Sequence, residues 1–179
     1  PADAGADNIY DVTVQVSDGN GGTDTQAIAV TVTNVNETPV ITSAAAVSAA
    51  ENQTAATTVT SSDVDGGAPV YTIVGGADGA LFSIDSATGV LTFNSAPDFE
   101  APADAGADNV YDVTVQVADG NGGTATQAIA VTVTNVNEAP LITSGAAVSV
   151  EENQTAVTTV TSSDIDGGAP VYTIVGGAD

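Results

Sequence analysis

The residues of this chain that could do chemistry are carboxylates, set in short clusters with nothing basic beside them. Asp63-Val-Asp65, Asp98-Phe-Glu100 and Asn135-Val-Asn-Glu138 each place oxygen donors within a few residues of one another. The 179 residues include 23 Asp and Glu and no Lys, Arg or His, a formal charge of −23. Clustered carboxylates repel unless something offsets them. With no basic side chain to do so, the counter-charge must be solvent or metal. Oxygen-only donors suit hard cations. Calcium takes roughly 6–8 of them at about 2.3–2.6 Å in loose geometry, whereas magnesium prefers strict octahedra with retained waters and suits loop ends less. Zinc and copper would draw on His or Cys, and the sequence has neither. Asp98 with Glu100 could also pose as an acid/base pair for glycoside hydrolysis. Without His, Lys, Arg or Cys to tune or position a substrate, the sequence reads as that of a non-enzyme.

The same charge argues against nucleic-acid and anionic-membrane partners, which call for basic patches. No stretch approaches 18 apolar residues, so membrane insertion is not expected. The absence of cysteine removes disulfides, thiol catalysis and thiolate metal sites.

What positions the acids is a repeat. Residues 1–78 align without a gap to 102–179 at an offset of 101 and differ at ten positions. Asn34-Val35-Asn36-Glu37 returns as Asn135-Val136-Asn137-Glu138. A period of this size is one small domain rather than a solenoid unit. Taking the Asn-Val-Asn-Glu motif as the boundary, residues 38–138 form one complete repeat. Residues 1–37 are the C-terminal part of a preceding repeat, and 139–179 the N-terminal part of the next. The sequence thus reads as a segment of a longer array, with neither outer fragment able to close a core alone.

Within the complete repeat the apolar residues alternate. Tyr111, Val113, Val115 and Val117 share one face, as do Ile129, Val131 and Val133, and period two marks strands with one buried face. Asp119-Gly-Asn-Gly-Gly-Thr124 between them is a hairpin turn. Further short strands are expected at 57–61, 70–74, 81–84 and 90–93, with an opening strand near 40–47. About seven short antiparallel strands and no helical period give an all-β fold, a Greek-key β-sandwich. Acids that follow strands collect at the two poles of such a sandwich, where neighbouring repeats meet.

With these motifs in place, the period resembles the cadherin repeat, as found in large bacterial surface and secreted proteins. Phe82-Ser-Ile-Asp-Ser-Ala-Thr-Gly-Val90 followed by Asp98-Phe-Glu100 is similar to that family's Phe-x-Ile-Asp-x-x-Thr-Gly and Asp-Arg-Glu motifs. Asn135 through Pro140 is similar to its linker. Asp63-Val-Asp65 and Asp164-Ile-Asp166 match Asp-x-Asp, and Val117-Ala-Asp-Gly120 resembles Ala-x-Asp-x-Gly. The resemblance implies an immunoglobulin-like sandwich with calcium at each junction. At the second junction it implies Glu51, Asp98 and Glu100 from the complete repeat, Asn135, Asn137 and Glu138 from the linker, and Asp164 and Asp166 from the next repeat. At the first it implies Asn34, Asn36 and Glu37 from the linker with Asp63, Asp65 and Asp119. The other five acids of the repeat, Asp78, Asp85, Asp104, Asp108 and Asp112, read as solvated surface or turn residues.

Three departures matter. Asn stands for the first linker Asp at 34 and 135, Phe99 stands for the Arg of Asp-Arg-Glu, and the Asp-x-Asp loop is short. The second junction keeps six carboxylates, enough to balance three divalent ions, and two ions remain equally open. Asn-Gln-Thr at 52–54 and 153–155 fits a glycosylation sequon, as does Asn36-Glu37-Thr38, and these read as incidental. Tyr10, Tyr71, Tyr111 and Tyr172 read as core and edge aromatics rather than a sugar platform. The expected function is a calcium-rigidified spacer in an extracellular or cell-surface repeat protein, an adhesin stalk or surface filament. Its partners would be neighbouring repeats. The alternative is an adhesive module binding surface glycans or other copies of itself.

Overall fold

The computed structural model describes residues 3–178. Pro1, Ala2 and Asp179, at the outer limits of the two expected fragments, lie outside the described residues. The chain divides into two compact units, Pro1–Glu37 and Thr38–Asp179.

The first unit is a hairpin. Strand β1 (Ile9–Ser17) pairs antiparallel with β2 (Thr23–Thr31) in unbroken register, Ile9 opposite Thr31 and Ser17 opposite Thr23. Its turn is closed by Asp18, whose Oδ1 accepts from the N–H groups of Asn20 (2.8 Å) and Gly22 (2.9 Å). Gly19 and Gly21 supply the positive φ of 76° and 100° that the turn requires. Both apolar faces of the hairpin are exposed.

In the second unit, residues 38–138 form two packed sheets. Strands β4 (Ala46–Ala50), β7 (Val70–Gly75), β10 (Val110–Ala118) and β11 (Thr124–Thr134) make one sheet in the order β4-β11-β10-β7. The second, ordered β5-β9-β8, comprises β5 (Ala55–Thr58), β8 (Phe82–Ile84) and β9 (Val90–Phe93). A short pair, β3 (Val40–Ile41) with β6 (Ser61–Ser62), closes one end. A single 3-10 turn at Gly79–Leu81 leads into β8. The architecture is the expected all-β sandwich.

The alternation places the core. Tyr111, Val113, Val115 and Val117 of β10 and Ile129, Val131 and Val133 of β11 are all buried, facing Val59, Phe82, Leu91 and Phe93. Phe93 meets Tyr111 edge-on at 5.2 Å between ring centroids, a preferred aromatic geometry. The Tyr111 hydroxyl accepts from the Ala103 N–H at 3.1 Å, tying the preceding loop to the start of β10 as tyrosine corners do.

The opening strand departs from expectation. It is two pieces in two places: β3 pairs antiparallel with β6, and β4 pairs parallel with β11, Ala46 opposite Ala130. The sandwich is therefore not wholly antiparallel. The chain crosses between sheets at Ser43-Ala44-Ala45, and the Ala45 carbonyl is already on the second ladder, accepting from Ala130 at 2.9 Å.

Residues 139–178 repeat the opening of the sandwich on a small scale. Strands β12 (Leu141–Ile142) and β13 (Ser162–Ser163) pair as β3 and β6 do. The Thr143–Thr161 hydroxyl contact (3.0 Å) copies Thr42–Thr60 (2.9 Å), and Ser162–Tyr172 copies Ser61–Tyr71, both at 2.9 Å. Beyond that pair the segment forms no strand among the described residues, and Val150, Val157, Ile174 and Val175 are exposed.

Candidate metal centre

Strand ends bring acids to one pole of the sandwich. Glu51 follows β4, Asp98 and Glu100 follow β9, and Glu138 follows β11. Two carboxylate trios result, Glu51 with Asp98 and Glu100, and Glu100 with Glu138 and Asp166. Within each trio one oxygen from every residue lies within 4.8 Å of the others. Glu100 belongs to both, and Asp166 comes from the segment after the linker.

Backbone donors aim the members of the cluster. Glu51, 3% exposed, accepts from Phe99 N–H through Oε2 and from Val136 N–H through Oε1, each at 2.7 Å. It thereby fastens the loop after β9 to the linker. Asp98 Oδ1 accepts from the N–H groups of Glu100 and Ala101 at 3.0 Å. Asp166 Oδ2 accepts from Glu138 N–H at 2.6 Å. Asn52 donates its amide to Glu138 Oε1. The other Glu138 carboxylate oxygen, Oε2, is buried with no hydrogen-bond partner.

The electrostatics are those of crowded like charges. Glu100 is pushed above its ordinary pKa by desolvation and then by the charges of Glu51, Asp166 and Glu138. Glu138 is raised for the same reason, desolvation first and then Glu51 and Asp166. Asp166 is held low, chiefly by the Glu138 N–H and then by the Asn135 amide. An all-oxygen donor set, one buried carboxylate oxygen without a partner and no basic residue in the chain together fit a hard divalent cation and exclude soft ones.

Of the residues expected at this junction, Glu51, Asp98, Glu100, Glu138 and Asp166 converge. Asp164 stands beside the cluster, its Oδ1 accepting from Asp166 N–H at 3.2 Å. Asn137 turns its amide to the Glu138 carbonyl at 2.7 Å. Asn135 points its amide nitrogen at the carboxylates, donating to Glu100 and Asp166. In this geometry it donates to two carboxylates of the cluster and presents no oxygen to them.

At the opposite pole Asp63 and Asp119 line one cleft of about 200 Å³ with Pro39, Ser61 and Pro69. Asp63 Oδ1 accepts from Asp65 N–H, and its Oδ2 is buried without a partner. Asp119 closes the β10–β11 turn, accepting from Asn121 (2.7 Å) and Gly123 (3.0 Å). Asp65 is exposed. In the first unit, Asn34, Asn36 and Glu37 are exposed, and the Asn36 amide donates to the Glu37 carbonyl at 3.1 Å.

Two of the five remaining acids are not solvated. Asp78 and Asp104 are 4% and 6% exposed. Asp78 accepts from Ala105 N–H (2.7 Å) and Asp112 N–H (2.8 Å), and Asp104 from Asp108 and Asn109 N–H, both 3.0 Å. They are buried staples of the 102–109 loop. Asp85 does cap a turn, accepting from Ala87 and Thr88. Asp108 and Asp112 are exposed.

Fold and pole define a class: an immunoglobulin-like sandwich of cadherin type with carboxylates gathered at its ends. The family model described as "Bacterial Ig domain" matches residues 36–132, more than half of the chain. The chain belongs to that family. Among solved structures it is similar to protocadherin gammaB7 EC3-6, described as a cis-dimer (TM-score 0.59, 24% identity, 93% of this chain and 44% of that one). It is also similar to human CDH23 EC21-23 (TM-score 0.58, 23% identity, 90% and 55%). A third is PcdhgB3 EC1-4 (TM-score 0.56, 27% identity, 94% and 43%). These likenesses establish the cadherin-like fold. Halomucin of Haloquadratum walsbyi (strain DSM 16790 / HBSQ001) is 54% identical over 35 residues. That match covers 20% of this chain and a share of halomucin that rounds to 0%. No helix among the described residues is long and apolar enough to cross a membrane.

Proposed function

We propose that the chain is a calcium-stiffened spacer of an extracellular or cell-surface array, in which residues 38–138 are a complete repeat and 1–37 and 139–179 are parts of its neighbours. The observation that carries this reading is the pair of trios sharing Glu100, one of which includes Asp166 from beyond the linker. Glu51, Asp98, Glu100, Glu138 and Asp166 would hold the ions, with Asp164 beside Asp166 at the same pole. Calcium would supply divalent charge and a demand for many oxygens. The residues do the rest. Glu51 locks the linker to the sandwich through Val136 N–H, Glu100 joins the two trios, and Asp166 commits the next segment to the joint. Without a counter-charge the same carboxylates repel over a Debye length of about 8 Å at physiological salt, and the joint loosens.

The test is small-angle scattering on a multi-repeat chain, with calcium and with chelator, alongside Glu100→Gln at every joint. Stiffening by calcium that the variant loses is expected. A contour indifferent to calcium would overturn the reading. Contact between copies is the alternative, supported by the cis-dimer description of one similar structure. Concentration-dependent association of the folded chain in sedimentation, saturable and independent of calcium, would favour it.

A further inference from the structure

The complete repeat and the segment after its linker are joined by hydrogen bonds that require no cation. Asn135 Nδ2 donates to Glu100 Oε1 at 2.6 Å and to Asp166 Oδ1 at 2.7 Å. The other Asp166 oxygen accepts from Glu138 N–H at 2.6 Å. Both oxygens of Asp166 are therefore held by the linker, and one amide group spans two carboxylates that would otherwise face each other bare. The chemistry is specific to Asn. Its NH₂ carries two hydrogens, one for each acceptor, whereas an aspartate at this position would offer acceptors only and add a seventh negative charge. The opposite amide orientation would set Oδ1 against two carboxylates, so the network fixes which way the group points.

We propose that Asn135 is a positioning residue, a latch that holds Glu100 and Asp166 in place before any cation arrives. The inference rests on the spacer reading for its purpose. Calcium then stiffens a joint whose carboxylates are already aligned, and less ordering is left for binding to supply. With Asn135→Asp the joint would carry more charge and no latch, and would depend on the cation for its order as well as its rigidity.

Amide hydrogen exchange on the 179-residue chain, with calorimetric calcium titration, tests this. In chelator, the Glu138 and Asp166 amides of the unsubstituted chain should exchange slowly. Asn135→Ala and Asn135→Asp should each speed exchange there by at least about ten-fold, with β10 and β11 amides unchanged as the sign of an intact sandwich. Calcium should restore protection in Asn135→Asp. Equal protection in all three chains under chelator, or none in the unsubstituted chain, would overturn the latch. Loss of protection in the variants together with no calcium binding by any chain would leave the latch standing and bring down the spacer reading instead.

Discussion

Desolvation first and crowded like charge second disfavour the ionised forms of Glu100 and Glu138, and acid should show it. Both hold protons more tightly in the folded joint than at the usual glutamate value of 4.5. In chelator, stability should therefore rise as pH falls from neutral towards that value. Asp166 has the opposite sign. Held below the usual 3.8, it contributes stability above that value and loses it as pH falls further. Urea midpoints under chelator should thus peak at mildly acid pH, and with calcium present the peak should shift towards neutral as protons compete for the same oxygens. The buried aspartates make a second prediction. Asp78→Ala strands the N–H groups of Ala105 and Asp112 and should cost about 2 kcal/mol in denaturant unfolding, with calcium making little difference. These residues also mark the limit of what the sequence reveals. Oxygen donors at strand ends with no basic residue to pair them mark the carboxylate pole, the candidate metal site. Asp78 and Asp104 look like turn residues because Gly and Ala surround them. Only the folded 102–109 loop shows that those small neighbours let backbone N–H groups close around buried carboxylates. For Asp104 these donors outweigh burial, which alone would raise its pKa, and hold it below the ordinary value.

At the scale of elements, the same strand exists twice in different surroundings. Val115 in β10 is 0% exposed and its counterpart Val14 in β1 is 48% exposed. Val115→Ala should therefore cost about 2 kcal/mol of stability, whereas Val14→Ala in the same chain should stay within about 0.5 kcal/mol. Comparing their thermal midpoints checks it. Strict alternation made β10 and β11 readable residue by residue, because a register slip would turn every valine outward. The opening strand was not readable in this way. Alternation says which side chains are buried and is silent on which sheet buries them. Ser43-Ala44-Ala45 carries the chain from one sheet to the other without interrupting the apolar pattern. The parallel β4–β11 pairing is a tertiary choice that no local pattern encodes.

For the whole molecule, a charge of −23 with no compensating cation sets the response to solvent. Self-repulsion opposes compaction and is screened by salt. Raising monovalent salt from roughly 0.01 M to 0.15 M shortens the Debye length from about 30 to about 8 Å. Under chelator this should raise the unfolding midpoint. Calcium at a hundred times its dissociation constant should add about 2.7 kcal/mol per site beyond that screening. Calorimetric scans in the two salts, each with and without calcium, separate the contributions. Equal midpoints at both ionic strengths would show that repulsion is spread too thinly to matter.

The parallel pair of β4 with β11 joins Ala46–Ala50 to Ala130–Thr134, nearly the first strand of a repeat to its last. A chain emerging from the ribosome cannot make that closure until Thr134 has been synthesised. Until then β4 has an open edge, and in an array of near-identical repeats every earlier β11-like strand is a rival for it. The topology makes order of synthesis part of the folding problem, because long-range pairing is slow and exposed edges are open to the wrong partner.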